Sequence, residues 1–335
     1  MASSWSGLAA DDENAYLADG QYVYSIDLAN GSLVWKYPEK GDNKKIFFAS
    51  PLKTGDGQLI IGSGGSNHSL ISLDPKSGNP PTENWIFEGA ADRWVASPLI
   101  WGETIYAPNG DGHLYVLDMS GNLLWSVKLG GQLWTTPATD GKLVYVPSLD
   151  HNLYVINPET QAIAWTVELS GAVMGEPAIA SDNKLYVGSF ASKVEVVDTL
   201  TKKVTDLIDT QGWVWGAPIL DGEMLYFGDL EGNFYAFDLA NDRLSYPEVK
   251  PDAAIVGSPL VLTDSIAIST ESGNVYFIDP NGKYRSQVVG GKIYSAPVLA
   301  GNLILVAPSE SEILLFAYDM EGKQEWVFTP PEEKK

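Results

Sequence analysis

The sequence predicts an all-β protein, an eight-bladed β-propeller with four antiparallel strands in each blade. The first observation is local: residues 133–168 contain four short apolar runs, separated by turn residues such as Asp140-Gly141. Alternation within Leu153–Ile156 indicates strands rather than helix. The second observation is a repeat. A similar pattern of apolar runs and turn residues returns about every 40 residues. Four strands in a unit of that length are typical of a propeller blade.

The end of the third strand identifies eight copies of the repeat. In each copy an acid or an amide follows an apolar run, and copies of about 41 residues use nearly the whole chain. We therefore predict one propeller over residues 1–329 and a C-terminal tail over residues 330–335. The eight residues that end the third strands are Asp27, Asp74, Asp118, Asn157, Asp198, Asp238, Asp279 and Asp319.

Prolines indicate which strand of each blade is innermost. Seven units carry a proline at the predicted end of the first strand, and Trp5–Leu8 supplies the eighth first strand with Leu8 in the proline's place. Proline cannot donate a hydrogen bond to a β-ladder, so it suits an edge such as the strand beside the channel. The residue before each proline is small, except at Glu176. The prolines are Pro51, Pro98, Pro137, Pro177, Pro218, Pro259 and Pro297.

Tryptophans in the fourth strand predict how neighbouring blades are held together. A large flat side chain at this position can lie between two blades. Units five, six and seven have Asp206, Tyr246 and Ser286 at or near the equivalent place. The arc formed by units 8, 1, 2, 3 and 4 is therefore expected to be the more tightly held. The tryptophans of that arc are Trp326, Trp35, Trp85, Trp125 and Trp165.

Composition favours a folded, acidic protein. Of the 335 residues 44% are hydrophobic, and 43 acidic against 21 basic side chains give a formal charge of −22. That charge disfavours nucleic acid or anionic lipid as a partner. The chain has no cysteine, which excludes disulfides, thiolate metal sites and cysteine nucleophiles. No apolar run approaches the roughly 18 residues of a membrane span.

The third and fourth strands resemble those of a known superfamily. Leu114–Asp118, followed by Gly121 and Trp125, resembles the tryptophan-docking repeat of the pyrroloquinoline-quinone-type propellers, and Tyr235–Asp238 and Tyr276–Asp279 match its third strand. The likeness covers essentially the whole chain. The superfamily contains quinoprotein dehydrogenases, the propeller lipoprotein of the outer-membrane barrel-assembly machinery and extracytoplasmic sensor domains. The resemblance thus implies the fold and leaves several functions open.

The mouth of the channel collects the candidate binding residues. With the first strand innermost, the turns between second and third strands share one face with the connections between units. Aromatic side chains there could stack on a ligand or partner, or pack on one another and close the mouth. Glu176 could hold a cation or a partner's amine, or bind neighbouring hydroxyls and water. The candidate partner- or ligand-binding residues are Arg93, Trp94, Asp111, Trp134, His151, Glu176, Trp213, Trp215 and Tyr294.

We assign no catalytic, cofactor-binding or metal-binding residue. His68, His113 and His151 fall in the same turn of three consecutive units. Turns on neighbouring blades should lie roughly 8 Å or more apart, whereas metal–nitrogen distances are about 2 Å. Gly62–Ser66 is not followed by the Gly-Lys-Ser/Thr of a phosphate-binding loop. No Ser/His/Asp arrangement with a defensible geometry is found.

The resemblance implies a non-enzymatic, extracytoplasmic scaffold of the cell envelope that binds another protein, similar in size and single-domain plan to the barrel-assembly lipoprotein. We expect a monomer without a cofactor. Residues 1–13 lack the layout of a signal peptide, so either the protein is cytoplasmic or an export signal was removed from this chain. Because the family that it resembles is exported and lipid-anchored, we expect that an export signal or lipid anchor was removed. The alternatives are a carbohydrate- or small-ligand-binding sensor domain and a quinone-dependent oxidoreductase. Superfamily dehydrogenases are longer and place a vicinal disulfide against the cofactor, which this cysteine-free chain cannot form.

Overall fold

The computed structural model describes residues 6–331, and it confirms the predicted fold class. Within that range the chain forms eight antiparallel sheets and no helix. Seven sheets have four strands, and the second carries a fifth, short strand. None of the described residues forms a helix that is long and apolar enough to cross a membrane.

Blades 1 to 4 follow one another along the chain, each running from an inner strand to an outer one. The extra strand of blade 2, Ile46–Phe47, pairs with the second strand of that blade. The strands are Gly7–Ala10, Asn14–Asp19, Tyr22–Asp27 and Leu33–Tyr37 in blade 1; Leu52–Lys53, Leu59–Gly64, Leu70–Asp74 and Thr82–Phe87 in blade 2; Leu99–Trp101, Thr104–Pro108, His113–Asp118 and Leu123–Lys128 in blade 3; and Ala138–Thr139, Val144–Pro147, Asn152–Asn157 and Ala162–Glu168 in blade 4.

Blades 5 to 8 repeat this order. Blade 6 differs in having an outer strand of only two residues. The strands are Ala178–Ile179, Lys184–Ser189, Lys193–Asp198 and Lys203–Asp209 in blade 5; Ile219–Asp221, Met224–Gly228, Phe234–Asp238 and Arg243–Leu244 in blade 6; Leu260–Val261, Ile266–Thr270, Asn274–Ile278 and Tyr284–Val288 in blade 7; and Val298–Ala300, Leu303–Val306, Leu315–Tyr318 and Gln324–Phe328 in blade 8.

The ring closes without an exchange of strands between its first and last blades. Gly7–Ala10 pairs with Asn14–Asp19 as the inner strand of blade 1, and all four strands of blade 8 come from residues 298–328. Trp5, which the sequence analysis included in this strand, lies outside the described residues. The first strands of neighbouring blades contact one another, which confirms that they are the innermost.

The prolines were placed at the wrong end of the first strand. Pro51 immediately precedes Leu52–Lys53, and Pro98 immediately precedes Leu99–Trp101; the other five blades follow the same rule. The ladder begins only after the proline, because a residue without an N–H cannot donate to it. The three residues before each proline are thus the chain's approach to the axis rather than part of the sheet.

Neighbouring inner segments approach each other so closely that some positions have no room for a side chain. A Cβ added at Gly216 would lie 2.9 Å from the carbonyl carbon of Gly257, and one added at Gly257 would lie 2.6 Å from the carbonyl carbon of Ser295. These glycines stand two residues before their prolines, one earlier than the small-residue row that the sequence analysis identified. Backbone-to-backbone contact therefore sets the spacing of blades around the axis.

Each pair of neighbouring blades shares its own buried apolar cluster. The cluster that closes the ring combines Leu17 and Ile26 of blade 1 with Leu305 and Leu315 of blade 8. Seven further clusters join the remaining pairs in the same way, so the described residues contain eight inter-blade cores. Removal of apolar surface from water at these interfaces is the main force that holds the blades together.

The fourth-strand tryptophans lie between blades as predicted. Trp35 donates a hydrogen bond from Nε1 to the carbonyl oxygen of Pro75 at 2.9 Å, and Trp85 donates to that of Met119 at 3.0 Å. Trp326 of blade 8 donates to Leu28 of blade 1 at 2.9 Å, and so crosses the closure of the ring. In each case the acceptor lies in the turn after the third strand of the next blade.

The predicted equivalent in blade 7, Ser286, was wrong by one residue. In the bulged blade 3, Trp125 stands opposite Val116, two residues before the acid that ends the strand. Blade 7 lacks this bulge, so the position opposite Phe277 falls to Arg285. The Arg285 guanidinium lies 4.1 Å from the Phe277 ring centroid and donates to the Met320 carbonyl oxygen of blade 8 at 3.1 Å.

The other two substitutes behave differently from each other. The Tyr246 ring of blade 6 lies against Gly282 of blade 7, where an added Cβ would be 2.8 Å from the ring, and thus takes the docking role. Asp206 of blade 5 instead accepts a hydrogen bond from Lys193 within its own blade, at 2.7 Å. Blade 5 therefore lacks the docking contact at the predicted residue.

A buried docking tryptophan is expected to contribute strongly to stability. Trp35 is 1% exposed, and truncation of a large buried aromatic costs about 3–5 kcal/mol in free energy of unfolding. We expect Trp35→Ala to lower the urea midpoint accordingly. Ser286→Ala, on the exposed outer strand of blade 7, should change the free energy by less than about 0.5 kcal/mol. Equal, small losses in both variants would contradict the docking role.

Candidate functional site

The segments that approach the axis build the wall of the central channel. In these segments the residue directly before the proline and the residue three before it line a cavity of about 270 Å³. The upper row is large and apolar, whereas the lower row is small and mostly polar. The upper row consists of Phe48, Val95, Trp134, Met174, Trp215 and Val256, and the lower row consists of Ser50, Ser97, Thr136, Glu176, Ala217, Ser258 and Ala296.

The residue four before each proline turns away from the channel and into the packing between blades. Its backbone N–H donates to the end of the preceding blade's second strand, as from Leu133 to Asn109 and from Val214 to Ser189. This anchor fixes the direction of the side chain. The row is at most 1% exposed throughout and consists of Phe47, Trp94, Leu133, Val173, Val214, Ile255 and Ile293.

Trp94 belongs to that buried row, and its predicted place at the channel mouth was wrong. It stands four residues before Pro98, whereas Trp134 and Trp215 stand three before their prolines. The backbone N–H of Trp94 donates to the carbonyl oxygen of Ser63. Its ring packs edge-on against Phe87 at a centroid distance of 6.2 Å. Trp94 therefore joins blades 2 and 3 and is out of reach of a ligand in the channel.

Glu176 is the one charged side chain that lines the cavity among the described residues. It makes no hydrogen bond or ion pair with any of them. The carboxyl group is accessible to water, but the surrounding wall leaves few water molecules to solvate its charge. This desolvation raises the pKa of Glu176 from the ordinary 4.5 to about 7.

Three aromatic rings lead from the surface to the cavity. Trp213 is 50% exposed and stacks on Phe190 at a centroid distance of 4.8 Å, with the ring planes 11° apart. Phe190 in turn lies 5.3 Å from Trp215, which lines the cavity. Phe190 was not among the predicted site residues, although it is aromatic where the equivalent turn position holds Leu149 in blade 4 and Leu230 in blade 6.

The remaining candidates lie around the same face but do not all turn toward the channel. The Arg93 guanidinium lies 5.7 Å from the Trp134 ring centroid. The Tyr294 hydroxyl donates instead to Glu271 at 3.2 Å, beside an ion pair between Lys292 and Glu271 at 3.0 Å. Tyr294 also stands three residues before its proline, but it does not line the cavity.

Asp111 and His151 make hydrogen bonds in or beside the turns to which they belong. Asp111 accepts hydrogen bonds from the Ala91 N–H at 2.9 Å and the Tyr115 hydroxyl at 2.7 Å. Burial alone would raise its pKa, but these bonds hold the pKa of Asp111 below its usual range. His151 has a left-handed backbone conformation, with φ of 70°, and its carbonyl accepts from Leu169 at 2.7 Å. Within residues 6–331 no three His, Asp or Glu side chains are grouped closely enough to hold a metal ion.

Comparison with known proteins identifies the kind of propeller. The family profile described as "Outer membrane protein assembly factor BamB" matches residues 2–129 and 95–286, which together span most of the chain. The chain belongs to this family. BamB of Burkholderia pseudomallei (strain K96243) is 23% identical over 326 residues, covering 80% of this chain and 83% of that protein. BamB of Yersinia pestis is 22% identical over 289 residues, covering 81% and 70%.

A relative of another kind also aligns with the chain. The dehydrogenase subunit of the quinone-type alcohol dehydrogenase of Acetobacter aceti is 24% identical over 325 residues, which cover 84% of this chain but 43% of that subunit. Among solved structures, BamB from Moraxella catarrhalis has a TM-score of 0.71 at 19% identity, covering 94% of this chain and 91% of that one. The computationally designed Ika8 protein has a TM-score of 0.75 at 15% identity, covering 98% and 96%. At these identities the structural likeness shows the shared fold alone.

The raised pKa of Glu176 predicts a specific pH dependence of stability. Between pH 4.5 and about 7 the folded protein binds more protons at this residue than the unfolded chain, so the free energy of unfolding falls as the pH rises through this window. Glu176→Gln removes that loss. Its urea midpoint should match the wild type at pH 4 and exceed it at pH 8.

The exposed turn residue Glu159 provides a matched control. The difference in urea midpoint between Glu159→Gln and the wild type should be the same at pH 4 and pH 8. A Glu176→Gln variant that is no more stable than the wild type at pH 8 would show that the carboxyl is well solvated in the channel.

Proposed function

We propose that this protein is a non-enzymatic scaffold of the cell envelope that binds another protein, as an outer membrane protein assembly factor does. The observation that carries the proposal is the family match over residues 2–129 and 95–286. It is supported by two assembly factors that align with at least 80% of this chain and at least 70% of their own length. An extracytoplasmic location and a monomeric state are part of the same proposal.

We place the partner-binding surface at the rim of the channel, in a rim patch that consists of Phe190, Trp213 and Trp215. Protein interfaces concentrate their binding energy in exposed aromatic and arginine side chains that become buried on association. Trp213 has half of its surface available for such burial. Its stacking on Phe190 fixes the orientation of the indole in advance, which lowers the entropic cost of binding.

The quinone-dehydrogenase relative makes enzyme function the principal alternative, and the residues of the channel do not fit its cofactor. A calcium ion that polarises a quinone needs six to eight oxygen ligands, several of them carboxylates or amides. The cavity offers Glu176 as its single carboxylate, among small residues and hydroxyls. Multiple carboxylates of a quinone cofactor would in addition meet a protein of net charge −22.

A photo-reactive amino acid in place of Trp213 tests the proposed surface in the native cell envelope. Val288, which is 81% exposed on the outer strand of blade 7, provides the control position. We expect a discrete cross-linked protein from position 213 and none from position 288. The same products from both positions, or none from either, would contradict a specific partner at the rim.

The purified partner then allows the contribution of Trp213 to be measured. A central aromatic of an interface contributes about 2 kcal/mol or more, so Trp213→Ala should weaken the affinity about 30-fold. Val288→Ala should leave it unchanged. Val288→Ala should keep the wild-type urea midpoint, and Trp213→Ala should lose no more than about 1.5 kcal/mol in free energy of unfolding through its stack on Phe190, so both variants should remain folded. An unchanged affinity in Trp213→Ala would show that the interface lies away from the rim patch. A saccharide found as the ligand, in place of a protein, would favour the sensor-domain alternative.

A further inference from the structure

We infer that the central channel is a binding site for a primary ammonium group on an aliphatic stem, with Glu176 as its counter-ion and the indoles of Trp134 and Trp215 in its wall. A lysine side chain of a bound protein and a free alkylamine share this chemistry. The inference goes beyond the proposed scaffold function, because it concerns the cavity behind the rim patch and does not depend on which protein binds there.

Glu176 is the one polar side chain of the lower row that is charged, and it lacks a partner among the described residues. Hydroxyls of the same row are engaged with the backbone: Ser97 donates to the carbonyl oxygen of Ser50 at 2.7 Å, and Ser258 accepts from the N–H of Ala217 at 2.9 Å. Glu176 itself makes no hydrogen bond or ion pair with a described residue. A poorly solvated carboxylate without a partner is unfavourable, and a cation in contact with it would relieve that cost.

The wall beside Glu176, in the upper row, suits an aliphatic cation. Trp134, Met174 and Trp215 line the same cavity and present apolar and aromatic surface. Aromatic faces attract cations, and an aliphatic stem can lie along such a wall while its charged end reaches the carboxylate. The contact between Arg93 and the Trp134 ring at 5.7 Å is an instance of this attraction at the same indole.

The cavity does not suit metal ions, anions or large cofactors. A hard metal ion needs several oxygen ligands at once, and the cavity provides one carboxylate. An anion is disfavoured by that carboxylate and by the net charge of −22, which in turn draws cations toward the protein. The cavity of about 270 Å³ is also at the small end of ligand pockets, which are usually about 300–1,000 Å³. These limits suit a side chain or small amine better than a cofactor.

None of the residues from 6 to 331 places a cation in the lining of the cavity. Two basic residues in the segments that approach the axis have acidic neighbours: the Arg93 guanidinium lies 3.8 Å from Asp92, and Lys292 lies 3.0 Å from Glu271. Glu176 is the one titratable side chain among those that line the cavity. Binding of an ammonium group should therefore follow the ionisation of this carboxyl and strengthen between pH 6 and pH 8.

Titration calorimetry with n-butylammonium at pH 8 and constant ionic strength tests the site, with n-butanol as the uncharged control. We expect saturable binding of the amine at about 1–10 mM and none of the alcohol. Glu176→Gln keeps the shape of the side chain and should weaken the binding of n-butylammonium at least about tenfold. The urea midpoint of the variant shows whether the protein is folded. No saturable amine binding by the wild type, or unchanged affinity in Glu176→Gln, would overturn the inference.

Two further arms separate this site from the rim and identify the source of the amine. Trp213→Ala should retain n-butylammonium binding even where it loses a protein partner, so failure of the scaffold and failure of the channel site are distinguishable. Nα-acetyl-lysine methylamide should bind more tightly than n-butylammonium if the channel accepts a lysine of a protein. Equal or weaker binding of the lysine derivative would instead support a free alkylamine as the ligand.

Discussion

The close approach of eight inner segments to one axis is the constraint on which the rest of the structure depends. A side chain at Gly216 or Gly257 would meet the backbone of the next blade within 3 Å, at 2.9 and 2.6 Å respectively. The backbone itself therefore fixes the spacing of the blades. Bulky side chains are displaced to other places: upward, where Trp134 and Trp215 line the channel, or outward, where Leu133 and Val214 join neighbouring blades.

The sequence was sufficient for the fold because the structural signals recur in most of the eight units. An irregular unit can therefore be recognised from the regular ones. It was insufficient wherever one residue of offset decides the outcome. Trp94 differs from Trp134 by a single position relative to its proline, and that difference turns a channel residue into a core residue. Likewise the loss of one bulge moves the docking position of blade 7 from Ser286 to Arg285. Bulges and backbone anchors depend on pairing between strands, which no single repeat encodes.

The site was only partly predictable for a related reason. Glu176 is conspicuous in the sequence as the one acid in a row of small residues, and the structure places it in the channel. That it lacks a partner depends on what the hydroxyls of other blades do, and Ser97 and Ser258 bind the backbone instead. The stack of Phe190 on Trp213 joins two residues of different blades, so it could not be found from a motif within either one.

In a repeat protein, residues that recur in every unit serve the architecture, and function has to reside in the departures from the repeat. Here Glu176, Phe190 and Trp213 are such departures, and all three lie in blade 5 or next to it. Blade 5 is also where the docking tryptophan is replaced by Asp206, whose side chain pairs with Lys193 within the blade. The predicted docking residue of blade 5 is thus used within its own blade, and Leu207 and Ile208 of the same strand pack in the cluster that joins blades 5 and 6. Binding surfaces are commonly drawn from the less stable parts of a fold, because residues selected for recognition are not free to optimise packing.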